Sequence, residues 1–263
     1  MMAKSAPRRL VVCDLDDTLY LERDYVLSGL AAVGAWAQAQ LGITGLGDAM
    51  IARFRSGGRG HVFDETLAAM GVEATPVLIG RMLQVYRQHR PFISLAGDAR
   101  RFLVDMPPDT AVALITDGFL DAQRRKIRAL GLHALGVSLA ICTDRWGRDA
   151  WKPSPRAFSY VQSHFGIPAD SCVYIADNAN KDFHAPHALG WRTIQITRTG
   201  GLHGVAGPGA KMAHIRISTL DDAKCAFPAD FESKYRSLEV CPDDRRAKEG
   251  MPKSANPILC ASA

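Results

Sequence analysis

The amino-acid sequence predicts an α/β fold with a doubly wound parallel sheet, a Rossmann-like core and an inserted helical subdomain. Short apolar, partly β-branched segments alternate with amphipathic helical patterns, as in parallel sheets built from βαβ units. The stretch Tyr20–Leu95 interrupts this alternation and carries no strand pattern. Aspartates follow three of the apolar segments, at the positions where open α/β sheets bind their ligands.

Size and composition are those of a core domain with a smaller second one. The chain has 263 residues, of which 47% are hydrophobic and 22% are charged. The net charge of +5 comes without a long basic run or an aromatic RNA-binding motif, so no nucleic-acid partner is expected. Six scattered cysteines without CxxC pairs predict buried free thiols rather than disulfides or a zinc site.

The expected location is the cytoplasm, without contact with a membrane. The N-terminal segment MMAKSAPRRL is charged but lacks the apolar region of a secretory signal, and no apolar run is long enough to span a bilayer. A monomer or a homodimer is expected.

Six apolar segments are predicted as strands and three amphipathic segments as core helices. The strands are Leu10–Cys13, Ala111–Thr116, Val137–Cys142, Cys172–Ala176, Thr193–Thr197 and His214–Ser218. The core helices are Asp98–Val104, Leu120–Leu130 and Pro155–Phe165, and Gly131 and Gly166 follow two of them as C-terminal stops.

Residues 20–94 are predicted as a helical subdomain inserted between the core segments 1–19 and 95–220. Its helices are expected at Val26–Leu41, Gly47–Phe54, Phe63–Met70 and Pro76–His89. An insertion this long exceeds a loop, and it begins right after the first carboxylates, so it should lie over them. A helical decoration without a role in chemistry is the alternative. Residues 221–263 are predicted as a tail, disordered after about residue 241.

The segment VVCDLDDTLY, residues 11–20, is the most informative part of the chain. Asp14 and Asp16 follow a buried strand and repel each other unless a positive charge lies between them. A bound divalent metal and a phosphate-handling site explain this pair. The alternative is an acidic turn in which Asp17 and Thr18 cap the next helix.

Three later segments supply groups that suit the same chemistry. Thr116–Gly118 ends a strand with a hydroxyl and free backbone N–H groups, which can hold phosphoryl oxygens. Lys152 lies at a proline-rich turn, where it can neutralise a carboxylate and a phosphate together. Asp177 ends another strand and Asp182 follows it, and such hard oxygen ligands fit Mg²⁺. Taken singly, each segment is also consistent with a capped turn, a surface lysine or a solvated acidic turn.

Together, and in this order, the four segments resemble the motifs of the haloacid dehalogenase superfamily of phosphohydrolases. DLDDTL matches the first motif, LITDG the second, KPSPRAF the third and ADNANKD the fourth, over most of residues 9–200. The insertion resembles the helical cap of C1 type in that superfamily. The chain departs from the pattern at Ala176, where glycine is frequent, and at Asp117, where asparagine is frequent. Neither change removes a catalytic group.

The resemblance implies a phosphomonoester hydrolase that uses Mg²⁺ and an aspartyl-phosphate intermediate. Asp14 would be the nucleophile, and Asp16 would protonate the leaving oxygen and then accept a proton from water. The implied catalytic residues are Asp14, Asp16, Thr116 and Lys152. The implied phosphate-binding residues are Thr116, Asp117, Gly118 and Lys152, and the implied metal ligands are Asp14, Asp16 through its backbone carbonyl, Asp177 and Asp182.

The expected substrate is a small phosphorylated metabolite, such as a nucleotide or a sugar phosphate. In the glycine-rich SGGRGH segment, Arg59 and His61 are the first candidates to reach a polar leaving group. His184 and His187 resemble a chelating pair, but Pro186 between them favours two surface histidines.

Other chemistries of the superfamily match the sequence less well. Dehalogenation needs neither Asp16 nor Asp177, and a phosphonatase needs a cap lysine, whereas residues 20–95 contain no lysine. A phosphomutase on the same core and a non-catalytic module that binds a phosphorylated metabolite stay open.

Overall fold

Six parallel strands form one sheet in the order β3-β2-β1-β4-β5-β6. The computed structural model describes residues 6–202 and 206–225. The strands are β1 (Arg9–Cys13), β2 (Thr110–Thr116), β3 (Val137–Cys142), β4 (Cys172–Ala176), β5 (Arg192–Ile196) and β6 (Ile215–Ile217). The helices are α1 (Glu22–Leu41), α2 (Leu46–Arg55), α3 (Val62–Ala69), α4 (Pro76–Gln88), α5 (Gly97–Val104), α6 (Leu120–Ala129), α7 (Arg156–Phe165) and α8 (His184–Ala188).

The sheet is covered on both faces, which confirms the predicted doubly wound fold. Val11 and Cys13 of β1 pack in a cluster with residues of α5 and α6, whereas Leu10 and Val12 face a cluster with residues of α7 and α8. Burial on both faces explains why the central strands are apolar along their whole length.

The helices α1 to α4 surround a hydrophobic cluster of their own, which includes Leu30, Met50 and Met82. The backbones of helices α1 and α2 are in close contact. A Cβ added at Gly34 would lie only 2.4 Å from the Cα of Gly47. All four helices expected in the insertion are therefore present, while its division from the core at residues 20–94 stays a prediction.

Most helix starts lie within one residue of the sequence prediction, whereas the start of α1 differs by four residues. Helix α1 begins at Glu22 rather than Val26, because the carboxylate of Asp17 accepts a hydrogen bond from the Glu22 N–H at 2.9 Å. Helix α8 begins at His184 and carries Pro186 within its first turn, where a missing N–H leaves no helical bond unmade.

Three of the cysteines are free and buried as predicted, namely Cys13, Cys142 and Cys172. The expected disorder after residue 241 lies outside the described residues. Within the described ranges, no helix has the length and apolar character needed to cross a membrane.

Candidate active site

The predicted motif residues meet at the carboxyl edge of the sheet. Asp14 follows β1, Thr116 ends the neighbouring strand β2, and Asp177 follows β4 on the other side of β1. A cavity of about 290 Å³ opens here. It is lined by Asp14, Asp16, Glu22, Asp117, Gly118, Trp151, Lys152, Asp177 and Lys181.

Three buried carboxylates and one buried lysine form the floor of this site. Asp14, Asp177 and Asp182 each place a carboxylate oxygen within 4.8 Å of the others. The Lys152 Nζ lies 2.6 Å from Asp14 Oδ1 and 2.7 Å from Asp182 Oδ1. Lys152 pairs with two of these three carboxylates and Lys181 acts on the same cluster, so an excess of negative charge remains when all three acids are ionised.

Burial, together with that imbalance, raises the pKa values of two of these carboxylates. Burial raises the pKa of Asp14 to about 6, although Lys152 opposes the shift. Burial, followed by the charges of Asp14 and Asp182, raises the pKa of Asp177 to about 9. The Oδ2 atom of Asp177 is also buried without a hydrogen-bond partner among the residues described.

Asp182 differs from the other two acids because both of its oxygens are engaged. Oδ1 pairs with Lys152, and Oδ2 accepts a hydrogen bond from the Asn178 N–H at 3.0 Å. The Tyr174 hydroxyl lies 3.0 Å from the Lys152 Nζ and completes its surroundings. Asp182 therefore holds the lysine that faces Asp14.

Asp16 lines the same cavity, but its carboxylate contacts a different set of groups. Lys126 Nζ donates to Oδ1 at 2.7 Å, Gln123 Nε2 donates to Oδ2 at 2.9 Å, and the Tyr20 hydroxyl also donates to Oδ1. Burial favours the neutral acid, but the Lys126 charge and these hydrogen bonds outweigh it and lower the pKa of Asp16.

None of these three partners of Asp16 was predicted from the sequence. Gln123 and Lys126 lie three residues apart on α6, so they share one helix face, and that spacing was the available signal. Glu22, and Lys181 within the fourth motif, also line the cavity and were not predicted as site residues.

The segment Thr116–Gly118 is held by side chains from several loops. The Thr116 hydroxyl is fully buried and accepts a hydrogen bond from Gln123 at 2.6 Å. Asp117 Oδ1 accepts from the Thr143 hydroxyl at 2.7 Å and from the Lys152 N–H at 3.1 Å. Asp117 thus fixes the backbone at Lys152, whereas the role of Thr116 in phosphate binding stays a prediction.

Arg59 and His61, the candidates for contact with the leaving group, are not among the residues that line this cavity. Arg59 donates to the carbonyl oxygens of Phe54 and Gly58, each at 2.8 Å. Its guanidinium lines a second cavity of about 430 Å³, and Glu22 lines both cavities. His61 is exposed at the start of α3. Contact of either residue with a substrate remains a prediction.

The ring of His187 lies in a cluster on α8, β5 and the segment before β6. It stacks on His214 with a centroid distance of 4.3 Å, and its Nε2 lies 2.8 Å from the Thr193 hydroxyl.

Comparison with known proteins identifies the family. A model of haloacid dehalogenase-like hydrolases matches residues 8–190. The chain belongs to this family. The resemblance seen in the four motifs is thereby confirmed, and the C1 type of the helical insertion stays a prediction.

Two curated relatives are phosphatases. The chain is 29% identical over 175 residues to the phosphoserine phosphatase of Thermus thermophilus. The matched region covers 66% of this chain and 61% of that protein. It is 27% identical over 198 residues to the glyceraldehyde 3-phosphate phosphatase of Methanocaldococcus jannaschii, covering 72% of this chain and 84% of that protein.

A solved structure shows the same fold. The HAD-hydrolase YfnB of Bacillus subtilis, solved with magnesium bound, superposes on this chain with a TM-score of 0.57 at 17% identity. The superposition covers 89% of this chain and 100% of that one.

Proposed function

We propose that the protein is a Mg²⁺-dependent phosphomonoester hydrolase that acts on a small phosphorylated metabolite. The observation that carries the proposal is the buried Asp14 carboxylate, 2.6 Å from the Lys152 ammonium, in a cavity that Asp16 also lines. A nucleophile and a proton-transfer group in one cavity suit hydrolysis in two steps. The phosphatase names of both curated relatives support the same reaction class.

The acidic cluster fits a bound Mg²⁺ ion. Asp177 Oδ2 is buried without a partner among the described residues, and the cluster holds more carboxylates than ammonium groups. Mg²⁺ prefers oxygen ligands and commonly takes one or two carboxylates and several waters. Asp14, Asp177 and the backbone carbonyl of Asp16 would hold it, with Asp182 acting through water or through Lys152. When bound, the ion would offset the charge of the substrate phosphate.

The side chains divide the reaction between them. An Asp14 oxygen attacks phosphorus in line, and the bond from phosphorus to the leaving oxygen breaks while Asp16, which enters this step in its protonated form, delivers its proton to that oxygen. Water then attacks phosphorus in the aspartyl-phosphate while Asp16 takes a proton from the water. The bond from phosphorus to the Asp14 oxygen breaks, which regenerates the Asp14 carboxylate and frees inorganic phosphate. Lys152 neutralises Asp14 and keeps it oriented during both steps.

Steady-state phosphate release tests the proposal. Purified protein with Mg²⁺ would be screened against p-nitrophenyl phosphate, nucleoside monophosphates, sugar phosphates, phosphoglycolate, phosphoserine and glyceraldehyde 3-phosphate. We expect release from at least one metabolite, a loss of about 10³-fold or more in Asp14→Asn, and unchanged rates in the exposed control Asp170→Asn. A folded, metal-loaded wild type that is inactive on the whole panel would contradict the proposal.

Product analysis separates the alternatives. A phosphomutase would return the phosphoryl group to a second hydroxyl of the substrate, so little inorganic phosphate would accumulate. A binding module without catalysis would bind a panel member without consuming it.

A further inference from the structure

The α6 residues behind Asp16 have no part in the two-step reaction above. Lys126 is 4% exposed and Gln123 is 1% exposed, so both polar side chains are almost completely buried. Asp16 stands in front of them and lines the cavity. A lysine buried this deeply requires a partner for its charge, and Asp16 Oδ1, at 2.7 Å, is that partner.

The Lys126 ammonium is itself fixed by an aromatic ring. Its Nζ lies 4.2 Å from the ring centroid of Tyr25 on α1, a cation–π distance. The Tyr20 hydroxyl donates to the same carboxylate oxygen of Asp16. The carboxylate is therefore held from α6 and from the segment between β1 and α1.

Gln123 connects this arrangement to the end of β2. Its amide nitrogen lies within hydrogen-bond distance of Asp16 Oδ2, of the Thr116 hydroxyl and of the Asp117 carbonyl oxygen. One buried amide therefore contacts the proton-transfer group and the segment that the motif resemblance assigns to phosphate binding.

We propose that Lys126 is a positioning residue for proton transfer by Asp16. It holds the carboxylate in one orientation toward the leaving oxygen, and Gln123 keeps that orientation in register with Thr116 and Asp117. This inference rests on the proposed function. Lys126 acts only through Asp16, whereas Lys152 lines the cavity and pairs with Asp14.

The role predicts an effect that depends on the leaving group. An alkoxide needs a proton as it departs, whereas p-nitrophenolate is stable without one. The ratio kcat/KM reports the steps up to the departure of the leaving group. For Lys126→Met we expect kcat/KM to fall about 10- to 100-fold on 2-glycerophosphate, or on another alkyl ester that the panel shows to be a substrate. On p-nitrophenyl phosphate we expect kcat/KM to fall less than about 3-fold.

Three further variants make the test specific. Lys126→Arg keeps the charge and should recover part of the loss on the alkyl ester. Arg128→Met removes an exposed charge from the same helix and should leave both substrates unchanged. In an Asp16→Asn background, Lys126→Met should cause no additional loss on the alkyl ester, because its effect passes through Asp16.

An equal loss on both substrates in a folded Lys126→Met protein would overturn the proposal, as would a full additional loss in the Asp16→Asn background. If Lys126→Met does not fold, Gln123→Met is used in its place. We then expect a smaller loss of kcat/KM that is again confined to the alkyl ester. An equal loss on both substrates would again overturn the proposal. Failure of the proposed function looks different, because the wild type would then hydrolyse neither ester.

Discussion

The two aspartates of VVCDLDDTLY lie two residues apart and have opposite surroundings. Asp14 shares one ammonium group with Asp182 and lies close to Asp177, so negative charge is in excess. Asp16 receives hydrogen bonds from Lys126 and two neutral donors, so its charge is balanced. The pKa of Asp14 is raised to about 6, and that of Asp16 is lowered. The two carboxylates thus differ in proton affinity because of their surroundings, and Asp16 has to take up a proton before it can act as the acid.

Lys152→Met should produce the largest effect, because it removes the ammonium group that pairs with both Asp14 and Asp182. Breaking a buried ion pair typically costs about 3–5 kcal/mol of unfolding free energy, and we expect phosphate release to fall by about 10³-fold. Urea unfolding and initial rates measure the two losses. The exposed control Lys211→Met should change the unfolding free energy by less than about 0.5 kcal/mol. A change this small in Lys152→Met would contradict the account.

Neutralising Asp177 and Asp16 should change stability in opposite directions. Without metal, folding at pH 7 requires Asp177 to take up a proton, and Asp177→Asn avoids that cost, so the variant should raise the unfolding free energy by about 1–3 kcal/mol. Asp16→Asn leaves Lys126 without its charged partner and should lower the unfolding free energy by a similar amount. Urea unfolding in the presence of a chelator measures both changes.

The Asp177 effect also has a defined pH dependence. The pKa of Asp177 is about 9 in the folded protein, above the unfolded value of about 3.9. Its cost to the folded state is therefore absent below about pH 4, grows as the pH rises and levels off above the folded pKa. The gain from Asp177→Asn should follow the same curve. The rise in Tm that Mg²⁺ causes in the wild type should be lost in this variant, and a retained rise would remove Asp177 from the ligand set.

Tyr20→Phe should have a smaller effect, limited to the surroundings of Asp16. It removes one of three donors and leaves Lys126 and Gln123 in place, so we expect a loss of about 2- to 5-fold in kcat/KM on an alkyl phosphate. The rate with p-nitrophenyl phosphate is the internal control. A selective loss larger than that of Lys126→Met would reverse the proposed order of importance.

The double variant His184→Ala, His187→Ala should have the smallest effect on metal binding. His187 contacts His214 and Thr193, whereas the candidate ligands are aspartates at the ends of β1 and β4. A Mg²⁺ titration followed by Tm should give an affinity within about 2-fold of the wild type. A loss of 10-fold or more would contradict the assignment of the metal to the aspartates.

The sequence predicted the fold and the acidic residues at the sheet edge because both leave local signals. Buried parallel strands are continuous apolar runs, and each strand end is marked by a residue such as Asp14 or Asp177. The clustering of these carboxylates follows from strand order, because β1 lies between β2 and β4.

The surroundings of Asp16 could not be predicted in the same way. Residues 123–128 read QRRKIR, and the sequence alone does not show that Lys126 is buried while Arg124 and Arg128 are exposed. Packing of α6 against the sheet and against Tyr25 decides this. The start of α1 was missed although Asp17 was considered as a cap, because its carboxylate accepts from the N–H of Glu22, five residues later, and the chain between them hides that contact from the sequence.

The most direct test of the central claim is rapid acid quenching of the enzyme during turnover, followed by mass spectrometry of its peptides. Asp16→Asn would be used beside the wild type, because loss of the base should slow hydrolysis of the intermediate and let it accumulate. We predict a phosphoryl group on Asp14 in the presence of Mg²⁺ and none in Asp14→Asn. Phosphate release that persists in Asp14→Asn, with Asp14 of the wild type unmodified at every quench time, would contradict the account.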